Sequence, residues 1–234
     1  MDKQKKKLWN ELLNEYGKTH VATTIELFKK YILLYPKDGA AWIIIGDTYT
    51  SIAKYDAALH ALRKAEKYVP GEKLDMVYKR YGDAYREKGN YKKAEKLYRK
   101  AVEHNPDSTS NHIFLGGLLA HMGRFAEAKK CHKKAAKLKK DTWDEAHYNL
   151  GLINRAEGHY ETALKHFEKA IAFDASYSAA WKLLGKARTA CADKAGALAA
   201  YQQGIEIAQK NGDVQALKEM RVFLKRLEKA DEHN

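Results

Sequence analysis

Proline is scarce in this chain. Only Pro36, Pro70 and Pro106 occur in 234 residues. Proline breaks helices because it cannot donate a backbone hydrogen bond and its ring clashes with the preceding turn. Long stretches are therefore open to helix. Cysteine is scarcer still, with Cys131 and Cys191 alone. Two isolated thiols make neither a disulfide framework nor a paired-cysteine metal site, and a reducing cytoplasm is the expected compartment. No apolar run approaches the roughly 18–20 residues of a membrane span. The basic start, Met1 to Lys7, runs into Leu8-Trp9-Asn10-Glu11, which is no signal-peptide core. Glycine-rich phosphate loops are missing too: Gly116-Gly117 is followed by no Gly-Lys-Ser/Thr, and no serine sits on a strand–turn elbow.

What is present is a period. Gly46, Gly82, Gly116, Gly151 and Gly185 are separated by 36, 34, 35 and 34 residues. A fixed interval of this size marks one supersecondary unit repeated in a row. Other columns keep the register. Trp42, Tyr78, His112, His147 and Trp181 stand four residues before the glycine. Ala58, Ala94, Ala128, Ala163 and Ala197 stand twelve after it, followed by Leu62, Tyr98, His132, Phe167 and Tyr201. Within each unit the large residues fall three, four and seven apart, which makes one face of a helix apolar. Two such stretches are split by Gly89-Asn90, Gly123-Arg124 or Gly158-His159, so each unit reads as helix–turn–helix. The glycine and alanine columns lack bulk at complementary places, where two helices can cross closely.

This pattern resembles the tetratricopeptide repeat family, whose units of about 34 residues carry a large residue, Leu-Gly, Tyr, Ala, an aromatic, Ala and Pro at set places. Trp42, Ile45, Gly46, Tyr49, Ala58, Ala65 and Pro70 match almost in full. So do Tyr78, Tyr81, Gly82, Tyr85, Ala94, Tyr98, Ala101 and Pro106. The later units are looser: Asn154 and Arg188 replace the tyrosine, and Lys140, Ala175 and Gln209 replace the proline. The resemblance implies an all-α, right-handed superhelical solenoid. It assigns five units at about 39–72, 75–108, 109–142, 144–177 and 178–211.

The ends complete the array. Residues 1–38 read as a degenerate hairpin whose small-residue columns are broken by Glu11, Leu12 and Thr24. Gly212 can stop a helix and Asp213 can cap the next. Leu217, Met220, Leu224 and Leu227 then form one apolar stripe, so residues 213–234 are expected to hold a capping helix. The whole reads as one continuous body without a linker.

Nothing in the chain suggests chemistry. Ten histidines invite a metal reading. But His112, His147 and His132 stand in aromatic columns, and His159 and His166 lie two turns apart, too far for the usual one-turn ligand pair. No enzyme, cofactor or metal is expected.

In the family resembled, front helices line a groove that holds an extended peptide or a partner helix. The groove places lie three before and one, four and five after each column glycine. They are Ile43 and Asp47; Lys79, Asp83 and Arg86; Ile113, Gly117 and His121; Tyr148, Leu152 and Arg155; and Lys182 and Lys186. An apolar middle (Ile113, Tyr148, Leu152) with cationic flanks suits a peptide bearing hydrophobic anchors and acidic neighbours. Relatives that clamp the C-terminal carboxylate of chaperones use cations and asparagines at places held here by Lys79, Asp83, Phe114, Glu145 and Asn149. Two acids there argue against a chaperone tail.

Net charge is +13, from 43 Lys+Arg against 30 Asp+Glu. Arg63, Lys64, Lys96, Arg99, Lys100, Lys130, Lys133, Lys134 and Lys137 recur in register on the back helices, and residues 129–140 hold seven lysines and no acid. Such a stripe is either a solvated face or a site for RNA, DNA or an anionic membrane surface. Aromatic residues do not interleave with it, so stacking of bases lacks a platform. The sequence thus points to a scaffold or adaptor that binds a protein segment in its groove, with polyanion binding as the alternative.

Overall fold

A computed structural model describes residues 3–16, 21–138 and 143–229. All regular structure among them is helical. The helices are α1 (Lys3–Tyr16), α2 (Val21–Leu34), α3 (Gly39–Ser51), α4 (Tyr55–Tyr68), α5 (Leu74–Glu87), α6 (Tyr91–His104) and α7 (Thr109–His121). They continue with α8 (Phe125–Leu138), α9 (Trp143–Ala156), α10 (Tyr160–Phe173), α11 (Ser178–Ala190), α12 (Lys194–Asn211) and α13 (Val214–Lys229). Pro70 precedes a short 3₁₀ turn, Gly71–Lys73. The chain divides into two compact units, Met1–Leu118 and Leu119–Asn234.

In both units consecutive helices pair as hairpins. The turn within each hairpin needs a residue with positive φ seven places after the column glycine. Gly89, Gly123 and Gly158 supply it at φ 80°, 77° and 80°, and Ala53 and Ala192 adopt it at 58°. Helix starts are capped by side chains. Asp38, Asn90, Asp193 and Asp213 accept from the amides of Ala41, Lys93, Gly196 and Ala216.

The alanine columns are fully buried, as their smallness requires. The glycine column works differently from its sequence reading. A Cβ on Gly82, Gly151 or Gly185 would run into the ring of Tyr98, Phe167 or Tyr201, and one on Gly46 into Leu62. The glycine therefore makes room for the large residue sixteen places on, rather than for the alanine. The front-helix aromatic has a polar task as well. Trp42 and Trp181 donate their indole N–H to the carbonyls of Pro36 and Ala175, at 2.8 and 2.9 Å. His112 makes the equivalent contact to Pro106 O at 2.8 Å.

The first unit opens with α1 and α2. Leu12 and Thr24 are buried, with Leu12 in one core with Phe28, Tyr31, Ala41 and Ile45. Tyr31 donates to Asp38, which also pairs with Lys5 at 2.9 Å, so the cap of α3 is tied to α1 and α2. The second unit ends on α13. Gly212, at φ 70°, stops α12. Ser178 donates to the Asp213 carboxylate at 2.6 Å. Met220 is fully buried against Gly204, Tyr201 and Ala216, with Leu217, Leu224 and Leu227 beside it. That is the apolar stripe the sequence assigned to a cap.

Candidate protein-interaction surface

The front helices bring together some of the predicted groove residues and bury others. Ile43 and Ile113 are 9% and 4% exposed, so both belong to the core and neither can anchor a partner. The reason lies in their column, three residues before the glycine. At Ile43 that column faces the seam with α5. Ile43 packs in one cluster with Val77 and Tyr78. Lys79 Nζ lies 2.9 Å from Ser110 Oγ and 5.0 Å over the Phe114 ring. The rings of Tyr148 and Tyr177 lie 4.8 Å apart, and Lys182 pairs with Glu219 at 3.0 Å. Spacing places these residues on one face of a helix. It does not say which neighbour covers that face.

In the first unit the remaining groove residues form a polar surface. Asp47, Arg80, Asp83, Arg86, Glu87 and Phe114 line one shallow depression. Arg80 bridges Asp47 and Asp83 at 3.2 Å each, and Tyr16 donates to Asp47. Asp83 is 6% exposed and accepts from the Tyr98 hydroxyl at 2.6 Å. Burial raises its pKa, against the opposing pull of Tyr98 and Arg80. Arg86 pairs with Glu87 at 2.8 Å. The acids here answer the cations, so this surface is internally neutralised. Arg80 is the residue that sequence reasoning missed. It stands two before Gly82, a place facing neither the expected core nor the expected groove. Gly117 is exposed, with open space where a side chain would stand.

In the second unit His121 is exposed at the end of α7. The other groove residues of this unit gather on α9 and α11. Tyr148 and Leu152 are half-buried and pack beside the core formed by Phe167, Ile171 and Leu183. Arg155, Lys182 and Lys186 are partly exposed beside them. Lys186 holds its ammonium 4.5 Å over the Phe223 ring. Its pKa is lowered by burial and then by Lys182, with Arg155 adding to the repulsion. The Arg155 Nε is buried with no hydrogen-bond acceptor.

The histidines that sequence reasoning placed in aromatic slots do fill them. His132 is fully buried with both ring nitrogens unpartnered, and burial lowers its pKa to about 4. The Nδ1 atoms of His147 and His166 lie 2.9 Å apart, so one ring donates and the other accepts. Burial pushes both to about 4, with Lys169 contributing. Among the described residues no three His, Cys, Asp or Glu side chains converge on a metal-sized site.

On the back helices Arg63, Lys96, Lys130, Lys133, Lys134 and Lys137 are exposed and Lys64 is partly so. Arg99 pairs with Glu95 at 2.8 Å, and Lys100 lies 4.1 Å over the Tyr78 ring, so part of the first unit's stripe is already engaged. Lys139 and Lys140, counted in the basic run, lie outside the described residues. No described helix is long and apolar enough to cross a membrane.

Comparison with known proteins places this architecture. The TPR repeat-containing protein PA0015 of Pseudomonas aeruginosa is 51% identical over 83 residues, 36% of this chain and 79% of that protein. Superkiller complex protein 3 of Mus musculus is 30% identical over 162 residues, 64% of this chain but only 10% of that protein's length. The crystal structure of yeast Tom70 superposes with a TM-score of 0.81 over 96% of this chain and 47% of that one, at 16% identity, a likeness of fold. Sequence models described as tetratricopeptide repeat match residues 39–70, 76–108, 106–176 and 154–220, which together span the hairpins from α3 to α12 and enter α13. With the glycine, alanine and turn positions repeating in the structure as they do in the sequence, the chain belongs to the tetratricopeptide repeat family.

Proposed function

We propose that this chain is a non-enzymatic adaptor whose front-helix faces hold a segment of a partner protein. The observation that carries the reading is Tyr148 and Leu152, half-buried apolar side chains flanked by Arg155, Lys182 and Lys186. A hydrophobic side chain can seat on the first two while acidic neighbours meet the cations. In the first unit Asp47 and Arg86 offer further polar contacts on front helices. Asp83 and Glu145 disfavour a chaperone tail. Two isolated cysteines in different hairpins make no disulfide framework, and the cytoplasm is the proposed setting.

The test is a cross-linking pull-down from the native cell with the full chain and with Leu152→Asp. The variant places a charge on the apolar seat, and its partner should be lost while circular dichroism stays helical. An undiminished partner on folded Leu152→Asp would defeat the site. The second reading, a polyanion on the back helices, is favoured by exposed Lys130, Lys133 and Lys137 on α8.

A further inference from the structure

The second unit contains a cationic cluster that the fold leaves uncompensated. Arg155 on α9, with Lys182 and Lys186 on α11, brings three positive charges onto one surface. Among the described residues the ion pair at this cluster is Glu219 on α13 with Lys182, at 3.0 Å. Lys186 makes no ion pair among the described residues; its ammonium lies 4.5 Å over the face of Phe223 and feels Glu219 only as a neighbouring charge. Arg155 has a buried Nε–H with no acceptor. A buried donor left unmade is costly, and a guanidinium is built to give two parallel hydrogen bonds to a carboxylate. The first unit behaves differently at the corresponding face, where Asp47 and Asp83 hold Arg80 and Glu87 holds Arg86.

We propose that the surface between α9 and α11 seats an acidic side chain of a partner segment, its carboxylate bridging Arg155 and Lys186 beside the apolar shelf of Tyr148 and Leu152. The inference rests on the front-face reading above and names the chemistry that reading requires. The residues are not the chaperone-clamp places Lys79, Asp83, Phe114, Glu145 and Asn149. Burial lowers the Lys186 pKa most, and the repulsion from Lys182 and Arg155 that adds to it is offset when an anion arrives. Meeting it requires the Arg155 side chain to turn its buried Nε edge outward. Two cations against one carboxylate also leave specificity with the apolar neighbour, since charge alone is screened by salt.

The experiment uses the full chain and a blocked peptide, acetyl-Glu-Glu-Leu-Glu-Glu-amide, with the all-glutamine peptide as control. Binding is followed by the Nε–H resonance of Arg155 in nitrogen-15 spectra and by titration calorimetry. The acidic peptide should shift that resonance and the glutamine peptide should not. Arg155→Gln and Lys186→Gln should each weaken binding about tenfold, the effect of one lost charge-assisted hydrogen bond. Arg155→Lys should keep part of the affinity, as charge survives without the fork. An unmoved resonance, or wild-type affinity in both glutamine variants, overturns the proposal. So does a loss confined to reversal of Lys130, Lys133 and Lys137, which would put the peptide on the back helices. The cellular partner separates this inference from its parent reading. If Leu152→Asp abolishes its capture but Arg155→Gln and Lys186→Gln do not, the front face stands and the acid seat falls. If none of the three matters, both fall.

Discussion

A single backbone position recurs in five hairpins, and the side chain it carries is not always the best one. Glycine adopts positive φ without strain, whereas an L-residue there brings its Cβ against the following carbonyl at a cost of about 1–2 kcal/mol. Ala53 and Ala192 accept that cost at φ 58° in places where Gly89, Gly123 and Gly158 avoid it. Glycine gives back some of the gain as extra unfolded-chain entropy. Ala53→Gly and Ala192→Gly should each stabilise the chain by about 0.5–1 kcal/mol, read as a higher urea midpoint. A lower midpoint for both would show the turn to be unstrained. His132 is a second such residue. In the slot of Tyr98, Phe167 and Tyr201 it hides two nitrogens without partners. Its folded pKa of about 4 lies below the ordinary value of 6.5, so the unfolded chain takes up the proton first. The stability it contributes is whole above pH 6.5 and drains away as pH falls toward 4, by about 3 kcal/mol at the acid end. His132→Phe should raise stability at pH 7 and flatten that acid loss, though His147 and His166 keep their share of the slope. Urea midpoints at pH 7 and pH 4.5 check it, and an unchanged slope would contradict the assignment. The sequence placed His132 in its slot through the column it occupies. Its lack of partners was invisible, because partners come from other helices.

The helices themselves were legible because each carries its apolar residues at helical spacing and stops at a glycine, a proline or a capping acid. The terminal helix shows how far that reaches. Gly212, Asp213 and the stripe from Leu217 to Leu227 marked α13 as a cover for the last hairpin, and the structure buries Met220 completely beneath it. Met220→Ala removes a side chain seated directly on Gly204, where no Cβ stands to fill the gap. It should cost about 2–5 kcal/mol, the range for deleting a large core side chain. Amide exchange should rise first in α12 and α13, where the contact is made. Unaltered protection in α12 would mean that α13 covers nothing essential. What periodicity could not supply was the neighbour. Ile43 and Ile113 share a column with Lys79, Tyr148 and Lys182, and nothing in their spacing distinguishes an open wall from a seam. Burial decided it, because Ile43 packs into the seam with α5, whereas Lys79 and Lys182 keep their amines by reaching a hydroxyl or a carboxylate.

For the molecule as a whole, a net charge of +13 has to be set beside where the charges are spent. In the first unit, the front-face cations Arg80 and Arg86 have carboxylate partners, and Arg99 and Lys100 of the back helices have a carboxylate and a ring. In the second unit no ion pair holds Arg155 or Lys186 among the described residues, and α8 exposes Lys130, Lys133 and Lys137 to water. The sequence made the charge count and the recurring positions visible. The pairing was not, since Glu95 and Arg99 or Asp47 and Arg80 meet only once the helices are wound and stacked. The two functional readings therefore make opposite demands on the same chain. Any strongly basic chain is held by heparin at low salt, because each neutralised anion releases counterions. Elution is expected in the range of a few hundred millimolar salt. If α8 is a polyanion site, reversing Lys130, Lys133, Lys134 and Lys137 to glutamate should bring elution down to low salt, while Leu152→Asp leaves it in place. If retention comes from net charge spread over the surface, a four-residue reversal elsewhere on the back helices, at Arg63, Lys64, Lys96 and Lys165, should lower elution equally. Equality between the two reversals would remove α8 as a site and leave the front face as the surface where this chain meets its partner.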